Sequence, residues 1–462
     1  MLRGGFAALA VFLAAASGAA SGTASSPARD VDVSRLGGPQ TNPTITVDPR
    51  NPAVLLAGSN SLLEGAERYY GSTDGGLSWT TGTVTPPVTH VFSTCPSDPS
   101  VAIDRAGTQY FSFDRVTPCS PGAPSKVYVA TREGTDGVWS APVLVAKLGS
   151  ARVDDKPTIA VDNSPISSHL GRVYVAWARV SRRVVYSILL SHSDDQGRTW
   201  SPPVEVNRTG DELNYASIAV ARNGTVYVGW TDSSHYTVEI ARSTDGGQQF
   251  GPEHRAAAFE VIPIPHCGIG IVVRAEPRSC IQANPTVSVD ASGGRYSGRV
   301  YVSYTGTDFT GDGGAAVTTF DSRLRPIAGY PLLYHHRVVA RAADGPTSDQ
   351  FWAQSAVDQS SGTIWLCFYD SAGDSGGTKV YYSCSFSSNG GQMWARPVRA
   401  ASAPSDETQP GARQYGYYQG LAAAGGVAHP IWTDTRDLST LDEEIYTAAL
   451  SEAGLRPPAP SG

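Results

Sequence analysis

Asn42-Pro-Thr-Ile-Thr-Val-Asp48, Asp98-Pro-Ser-Val-Ala-Ile-Asp104, Lys156-Pro-Thr-Ile-Ala-Val-Asp162 and Asn284-Pro-Thr-Val-Ser-Val-Asp290 are four versions of one segment. Ala353-Gln-Ser-Ala-Val-Asp358 is a fifth, and Ala216–Ala221 and Gln419–Ala424 are weaker copies. Their last residues stand at 48, 104, 162, 221, 290, 358 and 424, spaced 56 to 69 residues apart. A period of this length is the mark of stacked supersecondary units. Downstream of four of the copies lies a second apolar run, Arg172–Trp177, Thr225–Trp230, Arg299–Tyr304 or Thr363–Phe368. β-Branched and aromatic residues dominate these runs, so they read as strands.

Later in several units comes a shared turn: Ser72-Thr-Asp-Gly-Gly-Leu-Ser-Trp79, Ser193-Asp-Asp-Gln-Gly-Arg-Thr-Trp200, Ser243-Thr-Asp-Gly-Gly-Gln-Gln-Phe250 and Ser387-Ser-Asn-Gly-Gly-Gln-Met-Trp394. Thr135-Asp-Gly-Val-Trp139 is a degenerate fifth. A short polar side chain caps turn amides, glycine adopts a φ closed to other residues, and the aromatic ring covers the hairpin base. The turns resemble the Asp box, or BNR repeat, of the sialidase-like β-propellers. The expected fold is therefore all-β: a single propeller over 31–451, of seven four-stranded blades, with six as the alternative because catalytic sialidase domains typically have six. The last unit lacks a fourth strand, and Val31–Leu36 resembles an outer strand, so this N-terminal segment is expected to close the ring.

Arg3, the apolar run Phe6–Ala16 and the small-residue stretch that follows read as a signal peptide over 1–24. The protein is accordingly expected to be secreted, with no lipid anchor and no membrane span. Residues 452–462 read as a disordered Pro-rich tail. Six cysteines in an exported chain point to disulfides, paired as Cys95–Cys119, Cys267–Cys280 and Cys367–Cys384, each closing a short interval. Charged residues are 17% and the net charge is −7, without a basic cluster, which argues against nucleic acid or anionic membrane as partner. The expected partner is a glycan or another extracellular ligand, met by a monomer.

Site candidates fall where first strands begin and second strands end, on the face opposite the Asp boxes. The resemblance implies a tyrosine nucleophile polarised by a glutamate, an aspartate acid and an arginine clamp for a substrate carboxylate. Carried onto this chain, the roles go to Tyr417 or Tyr418, Glu212 and Asp155, with Arg115, Arg413 and Arg436 as the clamp. Asp98, Asp154, Tyr215, Asp232, Trp352, Asp370, Tyr415 and Asp434 are the further substrate-binding candidates. The chain departs from the pattern in that no Phe/Tyr-Arg-Ile-Pro motif occurs, with Thr41-Asn-Pro-Thr44 in its place, and in that aligning the fourth unit through Asn223-Gly224 puts Asn214 or Tyr215, rather than Glu212, near the expected glutamate.

No zinc, phosphate-loop or nucleophile-elbow motif is present. No cofactor is expected, although the acidic residues on the binding face could hold a structural Ca²⁺. Three functions stand side by side: a sialidase-like glycoside hydrolase, a non-catalytic glycan- or protein-binding module, and a polysaccharide lyase.

Overall fold

The second strand of each unit is apolar on both faces because it is sandwiched between neighbouring sheets, and Trp177, Trp230, Trp365 and Trp432 are fully buried there. The computed structural model describes residues 30–455, except 63, 85–94, 121–122, 147–152, 181–185, 211, 260–261, 265–267, 272, 278–280, 308–312, 328–347 and 439–441. It is a seven-bladed β-propeller of antiparallel sheets.

Blade 1 comprises Gln40–Asp48, Asn51–Ser61, Ala66–Ser72 and Thr80–Thr83, from the axis outward. The first strands of blades 2 to 7 are Cys95–Ile103, Val153–Val161, Leu213–Val220, Thr286–Val289, Gln350–Asp358 and Gly420–Ala424. Residues from all seven first strands, or from just before them, line one central cavity of about 230 Å³. Blade 5 has three strands among the described residues.

Val31–Asp32 pairs antiparallel with Glu444–Thr447 of blade 7, Val31 facing Thr447 and Asp32 facing Tyr446. The two ends of the chain thus meet in one sheet, which removes the open edge a linear array would expose. Asp30 continues the closure by accepting from the Ser402 backbone N–H at 2.7 Å and pairing with Arg436 at 2.7 Å. The chain then runs through Leu450–Ser451, which turns back onto Val427–Ala428, into a helical turn, Glu452–Leu455, at the start of the expected tail.

The four boxes share one hydrogen-bond pattern. The Ser72, Ser193 and Ser243 hydroxyls donate to Asp74, Asp195 and Asp245 at 2.8, 2.7 and 2.6 Å, and accept from the N–H of Gly76, Gly197 and Gly247. Ser387 does the same with Asn389 and Gly391. Cys95–Cys119 and Cys367–Cys384 are disulfides, the second joining facing residues of adjacent strands in blade 6. The expected Cys267–Cys280 pair lies outside the described residues, as does the expected signal peptide.

Candidate active site on the axial face

Near its start, the first strand of five blades loses register with the second, at Thr41/Thr44, Ser97/Ser100, Asp155/Thr158, Asn214/Ser217 and Phe351/Gln354. Inside each slip one residue takes a left-handed backbone: Asn42 at φ 53°, Asp98 at 54°, Lys156 at 52°, Tyr215 at 56° and Trp352 at 52°. Asn284 of blade 5, at 40°, occupies the same column. Each such non-glycine residue costs about 1–2 kcal/mol, so strain repeated on one face is a pointer to function. Pro43, Pro99, Pro157 and Pro285 follow four of them. Proline has no N–H, so the bulge leaves no ladder donor unmet there.

The bulges bring side chains from different blades together. Asn42 Nδ2 donates to Asp98 Oδ1 at 2.6 Å, and the Asp98 N–H donates to Asn60 Oδ1 at 3.0 Å. The Tyr418 hydroxyl donates to Asp98 Oδ1 at 3.4 Å and to the Pro99 carbonyl at 3.3 Å. Lys156 Nζ is 2.8 Å from Asp155 Oδ2 and lies 5.2 and 5.0 Å from the ring centres of Tyr215 and Tyr417. Asn284 Nδ2 donates to the Tyr417 carbonyl. Glycine is required at 416, where φ is 81° and a Cβ would come within 2.4 Å of Asn42 Oδ1. That close approach lets the Tyr417 N–H reach the same oxygen at 2.7 Å.

Asp114 faces Ser97 across the blade 2 ladder, and the Ser97 hydroxyl lies 3.1 Å from each of its oxygens. Carboxylate oxygens of Asp98, Asp114 and Asp155 all lie within 4.8 Å of one another. The Lys156 ammonium already supplies a positive charge to this group, so we read the three as a proton-holding set. Burial pushes Asp98 up to about 6, helped by the Asp155 charge and opposed by Lys156 and Asn42. Burial and the charges of Asp98 and Asp155 hold Asp114 well above the usual carboxylate range. Burial works against the Lys156 ammonium, but the Asp155 and Asp98 charges outweigh it and raise its pKa. The Tyr418 hydroxyl is pushed up by burial and by the three carboxylates.

Of the residues expected from sequence, Asp98, Asp155, Tyr215, Tyr417 and Tyr418 converge here. The others are placed differently. Asp154 is buried and forms a two-pronged ion pair with Arg179, at 2.5 and 2.7 Å. Glu212 is exposed and has no hydrogen bond to either tyrosine among the described residues. Arg115 lies over the rings of Phe113 and Tyr128, both at 5.4 Å. Arg413 is exposed, and Arg436 closes the ring with Asp434 and Asp30. Asp232 caps a turn through Ser234 and His235, and Asp370 accepts from Gln350. Trp352 and Tyr415 are fully buried, Tyr415 packing against Phe351 and Tyr369. No arginine is bonded to the axial carboxylates among the described residues.

Lys156 and Asn42 were not singled out as site residues from sequence. The available signal was the column itself, six residues before each closing position 48, 104, 162, 221, 290 and 358.

The seven sheets and the turns they share define the protein as a seven-bladed β-propeller. Over 228 residues the chain is 25% identical to a sialidase of Micromonospora viridifaciens, a match covering 44% of this chain and 33% of that protein. The matched region is thus about a third of that relative's length. Among solved structures, a Dyadobacter fermentans protein of unknown function superposes with a TM-score of 0.49 at 18% identity, over 74% of this chain and 94% of that one. A Hadza microbial sialidase gives 0.48 at 15% identity, over 87% and 74%. No protein-family model matches the chain.

Proposed function

We propose that the protein is an extracellular, monomeric glycoside hydrolase that cleaves a glycan at the axial face with Asp98 and Asp155. The observation that carries this reading is the meeting of two carboxyl groups in different electrostatic settings, within 4.8 Å of one another: Asp98 is poised near 6, and Asp155 is bonded to an ammonium. A pair whose environments push their proton affinities apart is what acid–base cleavage of an acetal needs. Asp98 gives its proton to the glycosidic oxygen as the C–O bond breaks, while the Asp155 carboxylate faces the positive charge that develops on the anomeric carbon. The separation lies below the roughly 5–5.5 Å of the double-displacement class, and further still from the roughly 6.5–9.5 Å of single displacement. Asp155 then bonds the anomeric carbon, and water deprotonated by Asp98 displaces it. The half-buried Tyr417 offers a ring for sugar stacking.

A second assignment within the same reaction rests on the Tyr418 hydroxyl donating to Asp98. It would make Tyr418 the nucleophile and Asp98 its base. The sialidase match supports the glycan class, and the two disulfides support the extracellular setting.

The test is turnover of sialosides, arabinan, galactan and uronic polymers by the wild type and by Asp98→Asn, Asp155→Asn and Tyr418→Phe. The reading expects a loss of at least about a hundredfold in both aspartate variants, the scale of general acid–base catalysis. A comparable loss in Tyr418→Phe would select the tyrosine assignment. No turnover of any glycan by the wild type would leave the binding module.

A further inference from the structure

Lys156 is the unusual member of its column. The equivalent positions carry Asn42, Asp98, Tyr215, Asn284 and Trp352, and only here does the left-handed bulge deliver a cation to the axis. The side chain is held on several sides: Asp155 at 2.8 Å, the Tyr215 ring from blade 4 and the Tyr417 ring from blade 7. Its side chain is 13% exposed, against 27% for that of Asp155, so the cation is the more buried member of the pair.

We propose that Lys156 is the positioning residue that decides which carboxyl of the axial group carries the proton: it holds Asp155 as the standing anion and leaves Asp98 to give and take one. The inference rests on the hydrolase reading for its use, though not for its electrostatics. Three carboxyl groups crowded together cannot all ionise beside a single cation, so at least one retains a proton. An ammonium in direct contact with one of them breaks the symmetry. The groups facing this set are Asp98 and Asp114 from blade 2, Asp155 and Lys156 from blade 3, Tyr215 from blade 4, and Tyr417 and Tyr418 from the segment leading into blade 7. Asp154, the neighbouring acid on blade 3, is already neutralised by Arg179. The Tyr215 and Tyr418 hydroxyls stay protonated through the range in which Asp98 titrates, since burial pushes both upward. Without the ammonium, Asp98 and Asp114 lose an attraction that lowers both, and Asp155 loses the partner that sets it apart from them.

The experiment is carbon-13 NMR titration of the aspartate carboxyls in the wild type, Lys156→Met and Lys156→Arg, with kcat and KM measured across pH on whichever glycan is turned over. In the wild type, the Asp98 midpoint should lie near 6, above the usual carboxylate range. In Lys156→Met the Asp98 midpoint should rise by a unit or more, the alkaline limb of kcat should follow it, and KM should change less than threefold. Lys156→Arg should restore most of the wild-type Asp98 midpoint. An Asp98 midpoint in the ordinary carboxylate range in the wild type overturns the proposal without any variant, and so does an unmoved Asp98 midpoint in folded Lys156→Met. If no glycan is turned over, the hydrolase reading fails, whereas the Asp98 titration still decides this one.

Discussion

Asn42 Nδ2 of blade 1 donates to Asp98 Oδ1 of blade 2 at 2.6 Å, joining equivalent positions of two successive repeats. The same Asn42 receives the Tyr417 N–H through its own oxygen. One amide therefore ties the acid to the segment that returns from the far end of the chain. Asn42→Ala removes a donor that holds the Asp98 carboxyl down. A hydrogen bond to a charged group contributes about 1.5–3 kcal/mol, so the alkaline limb of the pH–rate profile should move up by about one unit or more. A stopped-time assay from pH 4 to 8 checks it, and an unmoved limb would count against Asp98 as the acid.

Stability should depend on pH in opposite senses at the two faces. Asp98 is raised to about 6, above the unfolded value of about 3.9, so the folded state holds the extra proton between these values. Its contribution is fully present below about pH 4 and lost as pH rises through 6. Asp74, pulled down to about 2 by the Ser78 hydroxyl and backbone, behaves the other way, contributing above about pH 4 and losing it as pH falls toward 2. Urea midpoints of Asp98→Asn and Asp74→Asn relative to the wild type, taken at pH 3, 5 and 7, should diverge in these two directions.

Ring closure depends on Arg436, which bonds both oxygens of the fully buried Asp434 side chain and reaches Asp30. Arg436→Ala strands a buried carboxylate and should cost about 3–5 kcal/mol. Asp30→Ala leaves the Arg436–Asp434 pair intact and should cost roughly 1 kcal/mol. Denaturant unfolding of the two variants measures the difference, and equal losses would contradict this account of the closure.

Cys367 and Cys384 close an interval of 17 residues within blade 6. Loop-closure entropy for a loop of this size gives about 3 kcal/mol. The double alanine variant should unfold earlier by that amount in urea under non-reducing conditions, while its turnover stays within twofold, because the pair lies in the buried blade core away from the axial carboxylates.

The architecture was legible in the chain because each element is specified locally. Seven apolar first strands recur every 56 to 69 residues, several with a second-strand run or a box turn after them, and each box satisfies its own hydrogen bonds within eight residues. Even the closing strand could be read, since a missing outer strand at one end and a spare one at the other leave one arrangement without an open edge. The site could be read only in part. Asp98, Asp155, Tyr215, Tyr417 and Tyr418 were marked by their place at strand starts, but their partners come from blades far apart in sequence. Tyr418 and Asp98 are separated by 320 positions. Likewise the buried Asp154 and the half-exposed Asp155 are adjacent and of one type, and only the alternation of the strand sends the first to Arg179 and the second to Lys156. Local rules set which residues form blades. Which charges meet, and therefore which group holds a proton, was decided by closing those blades into a ring.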